Sequence, residues 1–363
     1  MKIVILTQPL LTNFGGILQN YALQAVLKKL GHNPITIDYA RVYPKWRWVF
    51  GCLKSVLMGH KHPVQFPYYG RAGQENLNRF IHQNINMTKP VNTPLEGWGL
   101  LRKVWNGSEP EAVVVGSDQV WSPWANVPID FLGNMFLDFV PDFKGKRVAY
   151  AASFGGGEWT YTPEWTEKCS RLAKKFDAIS VREESGVKLC KEHLGVEAKH
   201  VLDPTLLLTA EDYVKLLPTS QVQSDYLFAY ILDASAEKKI FLQEVAEKLG
   251  LRLVIKGAND DLKWEDSIEG WLLDIKNAAF VVTDSFHGSV FSIQFHRPFL
   301  SIINNKRGAD RFTSLLGKLG LLDRLINETA KIEDISNEIN WQTVENRLNV
   351  EREVSMNYLK EAL

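Results

Sequence analysis

The chain has 363 residues, 45% of them hydrophobic, which is more than one core usually serves and predicts two globular domains. Lys plus Arg and Asp plus Glu both total 42, so no global field favours nucleic acid, and any anionic ligand must be held locally. Cys52, Cys169 and Cys190 form no CxxC pair, and no run of about eighteen apolar residues occurs, which predicts a cytoplasmic protein with neither a zinc site nor a membrane span.

Residues 2–6 (KIVIL) read as a buried strand, followed by a loop and a helix over 17–30 that stops at Gly31. Gly15 and Gly16 let a ligand approach the backbone at the helix start. Neither GxGxxG nor GK[ST] is present, so a tight turn without a ligand is an equal reading. Residues 34–38 (PITID) return as a second strand. Regular alternation lapses over 39–73, where Trp46, Trp48 and Phe50 mix with Lys45, Arg47 and Lys54. Residues 41–63 can touch a membrane surface as an interfacial helix, or cover their own domain.

Helices over 75–83 and 96–105 lead to a strand at 112–115 (AVVV), which ends in Gly116, Ser117, Asp118, Gln119, Val120 and Trp121. A carboxylate, hydrogen-bonding side chains and a flat aromatic after a strand make a carbohydrate or anion pocket. The plain alternative is that Asp118 caps a turn and Trp121 plugs the core. Strands at 147–154 and 177–181 flank a helix over 163–175. The second strand delivers Arg182, which can hold a phosphate or carboxylate bidentately or pair with Glu183 or Glu184. A strand at 199–202 closes the sheet, with Asp203, Pro204 and Thr205 as its exit turn. The first domain is therefore residues 1–205, with the 39–73 excursion.

The second domain, 206–363, restarts the pattern with strands at 225–232 and 251–255 and helices over 236–249 and 268–277. Residues 279–298 organise this half. A buried strand, 280–282, runs into Thr283, Asp284, Ser285, Phe286, His287, Gly288 and Ser289. Asp284 or Ser285 can cap the helix that follows, whose free N–H groups and dipole make an anion site beside the His287 imidazole. The alternative is a capped helix with a surface histidine. A strand at 299–303 leads to a basic segment with Lys306, Arg307 and Arg311, able to close over an anion or to remain a solvated loop. Helices over 311–326 and from 341 onward finish the chain.

Six stretches in order, TNFGGILQNYALQ (12–24), AVVVGSDQVW (112–121), YAASFG (150–155), AISVREESG (178–186), VLDPTLLL (201–208) and TDSFHG (283–288), resemble the polysaccharide pyruvyl transferase family. The resemblance implies an α/β fold of two Rossmann-like domains facing across a cleft, a GT-B-like glycosyltransferase architecture. It also implies transfer of the pyruvyl group of phosphoenolpyruvate to a sugar of a surface polysaccharide or its precursor, while the cysteine pattern and the 41–63 segment predict a place in the cytoplasm or at the inner face of the membrane. His287 carries over as a donor-binding or acid/base residue and Arg182 as a donor arginine. Many members read TDRLHG in the last motif. Here Ser285 stands in the place of that Arg, which removes a positive charge.

The expected scheme has His287 as acid and Asp118 or Asp284 as base. Arg182, Ser285, Gly288, Ser289, Lys306, Arg307 and Arg311 face the donor; Asn13, Gly15, Gly16, Gln19 and Trp121 face the acceptor. Phosphoenolpyruvate is the donor substrate, a sugar or lipid-linked oligosaccharide is the acceptor, and the scheme requires no cofactor or metal. The alternative is a glycosyltransferase with a nucleotide-sugar donor on the same scaffold, since fold alone does not choose the donor.

Overall fold

Continuous apolar runs become strands buried on both faces, which is the condition for parallel sheets enclosed by helices. The computed structural model describes residues 1–39, 75–91, 95, 109–126, 129–219, 225–257, 267–303, 308–327 and 338–363. Residues 41–63 with their expected membrane contact, nearly all of the 39–73 excursion, the helix expected over 96–105, and Lys306 and Arg307 lie outside the described residues.

In the first sheet β1 (Lys2–Leu6), β2 (Asn33–Thr36), β3 (Ala112–Val115), β4 (Lys146–Ala152), β5 (Ala178–Val181) and β6 (Lys199–His200) pair in the order β2-β1-β3-β4-β5-β6, all parallel. In the second, β7 (Tyr226–Ile231), β8 (Arg252–Gly257), β9 (Phe280–Thr283), β10 (Phe299–Ile302) and β11 (Leu325–Ile326) run β11-β10-β9-β7-β8, again parallel. Each sheet, counted from its own first strand, therefore begins second, first, third, fourth, fifth. Strand order reverses between β1 and β3 and between β7 and β9, and open α/β sheets bind ligands at the carboxyl ends of such pairs.

The helices are α1 (Phe14–Lys29), α2 (Glu75–Asn84), α3 (Asp130–Met135), α4 (Pro163–Ala173), α5 (Glu184–Leu189), α6 (Ala210–Val214), α7 (Ala236–Leu249), α8 (Ile268–Asn277), α9 (Phe286–Gln294), α10 (Asp310–Leu319) and α11 (Trp341–Ala362). The helix expected over 311–326 is shorter. Gly320, at φ 71°, ends it in the left-handed region, and the chain goes on into β11. A two-residue edge strand has too little alternation to register in a sequence.

Helices α1 and α9 show how the domains meet. All nine residues of α9 and most of α1 are buried, as expected for helices walled in on every side. Phe14 of α1 lies 5.7 Å from Trp271 of α8, and Tyr21 of α1 lies 6.4 Å from Tyr213 of α6. Such pairs contribute about 0.5–1.5 kcal/mol each beyond their burial, and they belong to one core cluster that reaches from Ile3 to Phe299. The two sheets thus share a core.

The boundary expected at 205/206 falls between the sheets, in a linker that is pinned rather than loose. Gln294 Nε2 donates to the carbonyls of Thr205 and Leu208, and Arg352 Nε donates to that of Leu206. Helix α11, however, returns to the first sheet: Tyr358 Oη donates to the Ala149 carbonyl and Ser355 Oγ accepts the Leu202 N–H. Among the described residues no helix is long and apolar enough to cross a membrane.

Candidate active site

Strand β9 ends in a turn built by its own hydroxyls. Thr283 Oγ1 donates to the Tyr230 carbonyl at 2.6 Å and accepts the Ser285 N–H at 3.0 Å. Ser285, in extended backbone, then caps α9 by accepting the Gly288 N–H at 3.3 Å. Gly288 fits because a Cβ there would come within 2.4 Å of Thr283 Oγ1. Of the two capping candidates it is therefore Ser285 that caps. Asp284 turns the other way, where its oxygens accept from the N–H groups of Leu232 and Asp233 and from Lys238 Nζ at 2.9 Å. Both members of that ion pair are buried, so Asp284 fixes the turn between β7 and α7.

These contacts aim His287 across the domain junction. Its ring packs on the first turn of α1, where a Cβ on Gly15 would sit 1.9 Å from Nδ1. What the Gly15 turn admits is thus an imidazole from the other domain. The N-termini of α1 and α9 converge there, and their partial positive charges make the junction favourable for an anion.

On its other side, His287 Nε2 lies 3.6 Å from Asp203 Oδ2. Asp203 is wholly buried and crowded with donors: Thr205 N–H and Oγ1 reach Oδ1 at 3.0 and 2.7 Å, and Arg182 Nη1 reaches Oδ2 at 2.9 Å. Burial alone would raise its carboxyl, but His287, Arg182 and Thr205 together hold it well below the usual carboxylate range. Arg182 Nη2 also faces Asp118 Oδ1 at 3.7 Å. The Arg182 guanidinium lies over the Phe286 ring, 5.0 Å from its centroid, and Arg311 lies 5.5 Å from the same centroid. Burial and the nearby Arg182 bring the Arg311 guanidinium down to about 10. Arg182 Nε, Arg182 Nη2 and His287 Nε2 are buried without a hydrogen-bond partner, which is costly unless a ligand or solvent satisfies them.

A cleft of about 800 Å³ opens above this network, and Asn13, Asp118, Ser285, His287 and Arg311 all line it. Asp118 reaches it in a left-handed conformation (φ 78°), with its carbonyl accepting the N–H groups of Val120 and Ser153.

Against that geometry, a family model described as polysaccharide pyruvyl transferase matches residues 13–306. The chain belongs to the polysaccharide pyruvyl transferase family. The family is one of transferases. No curated protein matches the chain. Among solved structures, UGT89C1 of Arabidopsis thaliana complexed with UDP-L-rhamnose is similar at 10% identity and a TM-score of 0.51, covering 99% of this chain and 98% of that one. UDP-GlcNAc 2-epimerase of Neisseria meningitidis bound to UDP-GlcNAc has 11% identity and a TM-score of 0.49, covering 99% and 100%. The fold is the GT-B-like pair of Rossmann-like domains that the family resemblance implied.

Several family-motif residues do not face the cleft. Trp121 is fully buried: its ring stacks on Phe136 at 4.8 Å and its indole N–H donates to the Met135 carbonyl, so it plugs the core and offers no face to a sugar. Gln19 is also buried, donating to Thr7 Oγ1 and the Gly16 carbonyl and accepting the Ser117 N–H. It ties the loops after β1 and β3 together. Ser289 joins α9 to β10 through Ser301 Oγ at 2.6 Å, and Gly288 packs on Thr283. Gly16 backs Asp118, whereas Asn13 lines the cleft and also caps α1. Asp203, expected only as part of an exit turn, is the buried centre of this network, and its one signal in the sequence is an Asp-Pro-Thr directly after a strand.

Replacing Gly15 by Ala is expected to destabilise the fold by about 1–3 kcal/mol through overpacking and to displace His287. Urea unfolding together with an activity assay checks this, and a variant unchanged in both would show that the ring does not depend on this space.

Proposed function

We propose that this chain transfers the pyruvyl group of phosphoenolpyruvate to a sugar of a surface polysaccharide or its precursor, forming a pyruvate ketal and releasing phosphate. The observation that carries the reading is the placement of His287 at two converging helix N-termini, in a family of pyruvyl transferases. In this scheme His287 protonates the methylene carbon of the donor, and the C2 centre becomes electron-poor. One sugar hydroxyl forms a bond to that carbon and gives its proton to Asp118. The carbon–oxygen bond to phosphate then breaks, the leaving phosphate taking the proton held by Asp118, and a second hydroxyl closes the ketal by giving its proton to His287. Asp118 is a better base than Asp284, whose oxygens already hold two N–H groups and an ammonium.

The donor's phosphate and carboxylate need fixed positive charge. Arg311 and Ser285 line the same cleft, so Arg311 supplies the charge that the serine lacks. Arg182, one layer deeper, holds Asp118 and Asp203 in place. No further cofactor is required; the acceptor is a free or lipid-linked saccharide.

Thermal unfolding in the presence of candidate donors tests the reading. Phosphoenolpyruvate at a hundred times its dissociation constant should add about 2.7 kcal/mol of stability. Stabilisation by a uridine or guanosine diphosphate sugar and none by phosphoenolpyruvate would instead make the chain a glycosyltransferase, the reading that the loss of positive charge at Ser285 favours.

A further inference from the structure

A second depression, of about 450 Å³, adjoins the cleft, and Trp124 and Thr160 belong to both. Trp124, Ile129 and Trp165 give it apolar walls, which Thr160 and Thr162 complete. Trp124 is 81% exposed, whereas Trp121, three residues earlier, is fully buried. A large indole left in water on a surface is informative in a way that a scattered small apolar side chain is not. The turn that presents it is also braced. Buried Asn126 donates from its amide nitrogen to the carbonyls of Val120 and Ser122, at 2.9 and 2.8 Å, and the Ala125 N–H donates to the Ser122 carbonyl. On the far wall Tyr161 Oη donates to the Trp121 carbonyl at 2.6 Å, which fixes that ring as well. The backbone turn that carries Trp124 and the ring of Tyr161 are thus held in place before any ligand arrives, which limits the ordering cost of binding.

Sugars present apolar C–H faces that stack on aromatic rings and hydroxyl edges that meet side chains such as Thr160 and Thr162. We infer that this depression is an extension subsite for the sugar unit adjoining the one that reacts, so that the protein prefers an oligosaccharide to a single sugar. Continuity with the cleft through Trp124 and Thr160 supplies the occupant: a chain whose reacting unit lies over Asp118 continues into the neighbouring depression. The inference rests on reading the cleft as the acceptor's site, but its test is independent of the donor.

Wild-type protein, Trp124→Ala and Trp124→Phe are compared for binding to an array of glycans running from single sugars to tetrasaccharides, and to a long-chain prenyl phosphate in detergent micelles. Phosphoenolpyruvate-induced stabilisation is measured alongside, so a failure of the donor reading is seen separately. The expected result is retention of longer glycans by wild type, about tenfold weaker in Trp124→Ala and largely preserved in Trp124→Phe. Equal retention by Trp124→Ala, no preference for length, no retained glycan, or Trp124-dependent binding of the prenyl phosphate alone would each overturn the subsite.

Discussion

Replacing His287 by Ala is expected to lower turnover at least about a hundredfold, the usual contribution of a general acid, while leaving donor-induced stabilisation largely in place. The ring touches Gly15 on one side and approaches Asp203 at 3.6 Å on the other, so its position is set from both domains. A proton donor so constrained is aimed at one point in the cleft, and turnover depends on that aim more than binding does. His287→Gln separates shape from proton transfer: it retains polar bulk but cannot act as an acid. Phosphate release from phosphoenolpyruvate, with a panel of nucleotide- and lipid-linked sugars as acceptors, is the measurement. Near-normal turnover in either variant would remove His287 from the chemistry.

Replacing Arg182 by Ala should lower unfolding free energy by about 3–5 kcal/mol, because it strands buried carboxylates without their counter-charge. Asp203 has a fully buried side chain and Arg182 is its closest cation, with Asp118 at the second guanidinium nitrogen. The pH dependence follows from the direction of the Asp203 shift. Its folded value lies below the unfolded one, so its stabilisation is present above the unfolded value of about 4 and is lost as pH falls toward the folded value. The deficit of Arg182→Ala is therefore largest near neutral pH and shrinks in acid. Denaturant unfolding across that range checks the sign, and a deficit that grows on acidification would rule out the pairing as its source. Arg182→Lys should recover only part, since an ammonium cannot reach both carboxylates as a planar fork does.

Much of the molecule can be read from residues close together in the chain. The strands KIVIL, AVVV and YLFAYI are apolar runs, and they form interior strands of the two parallel sheets. A cap at Asp284 or Ser285 is implied by residue type alone, and the choice between them turns on where each side chain finds partners. Asp284 finds Lys238 and two N–H groups across the sheet, contacts that no local pattern reveals. Trp121 and Trp124 make the same point for the aromatic pocket. Both follow β3, yet one is in the core and the other in solvent, because Phe136 and Met135 return from α3 to cover only the first.

The amino-acid sequence by itself determined the two α/β domains, the turn that carries His287 and the family, because hydrophobic period, capping residues and motif order are properties of near neighbours along the chain. Only the tertiary structure decided that Gly15 serves His287, that Asp203 and Arg182 lie beneath the cleft, and that Gln19 and Trp121 face away from it. Those outcomes depend on which strand ends and helix starts are brought together when two sheets share one core, and that juxtaposition is set by packing between residues far apart in sequence.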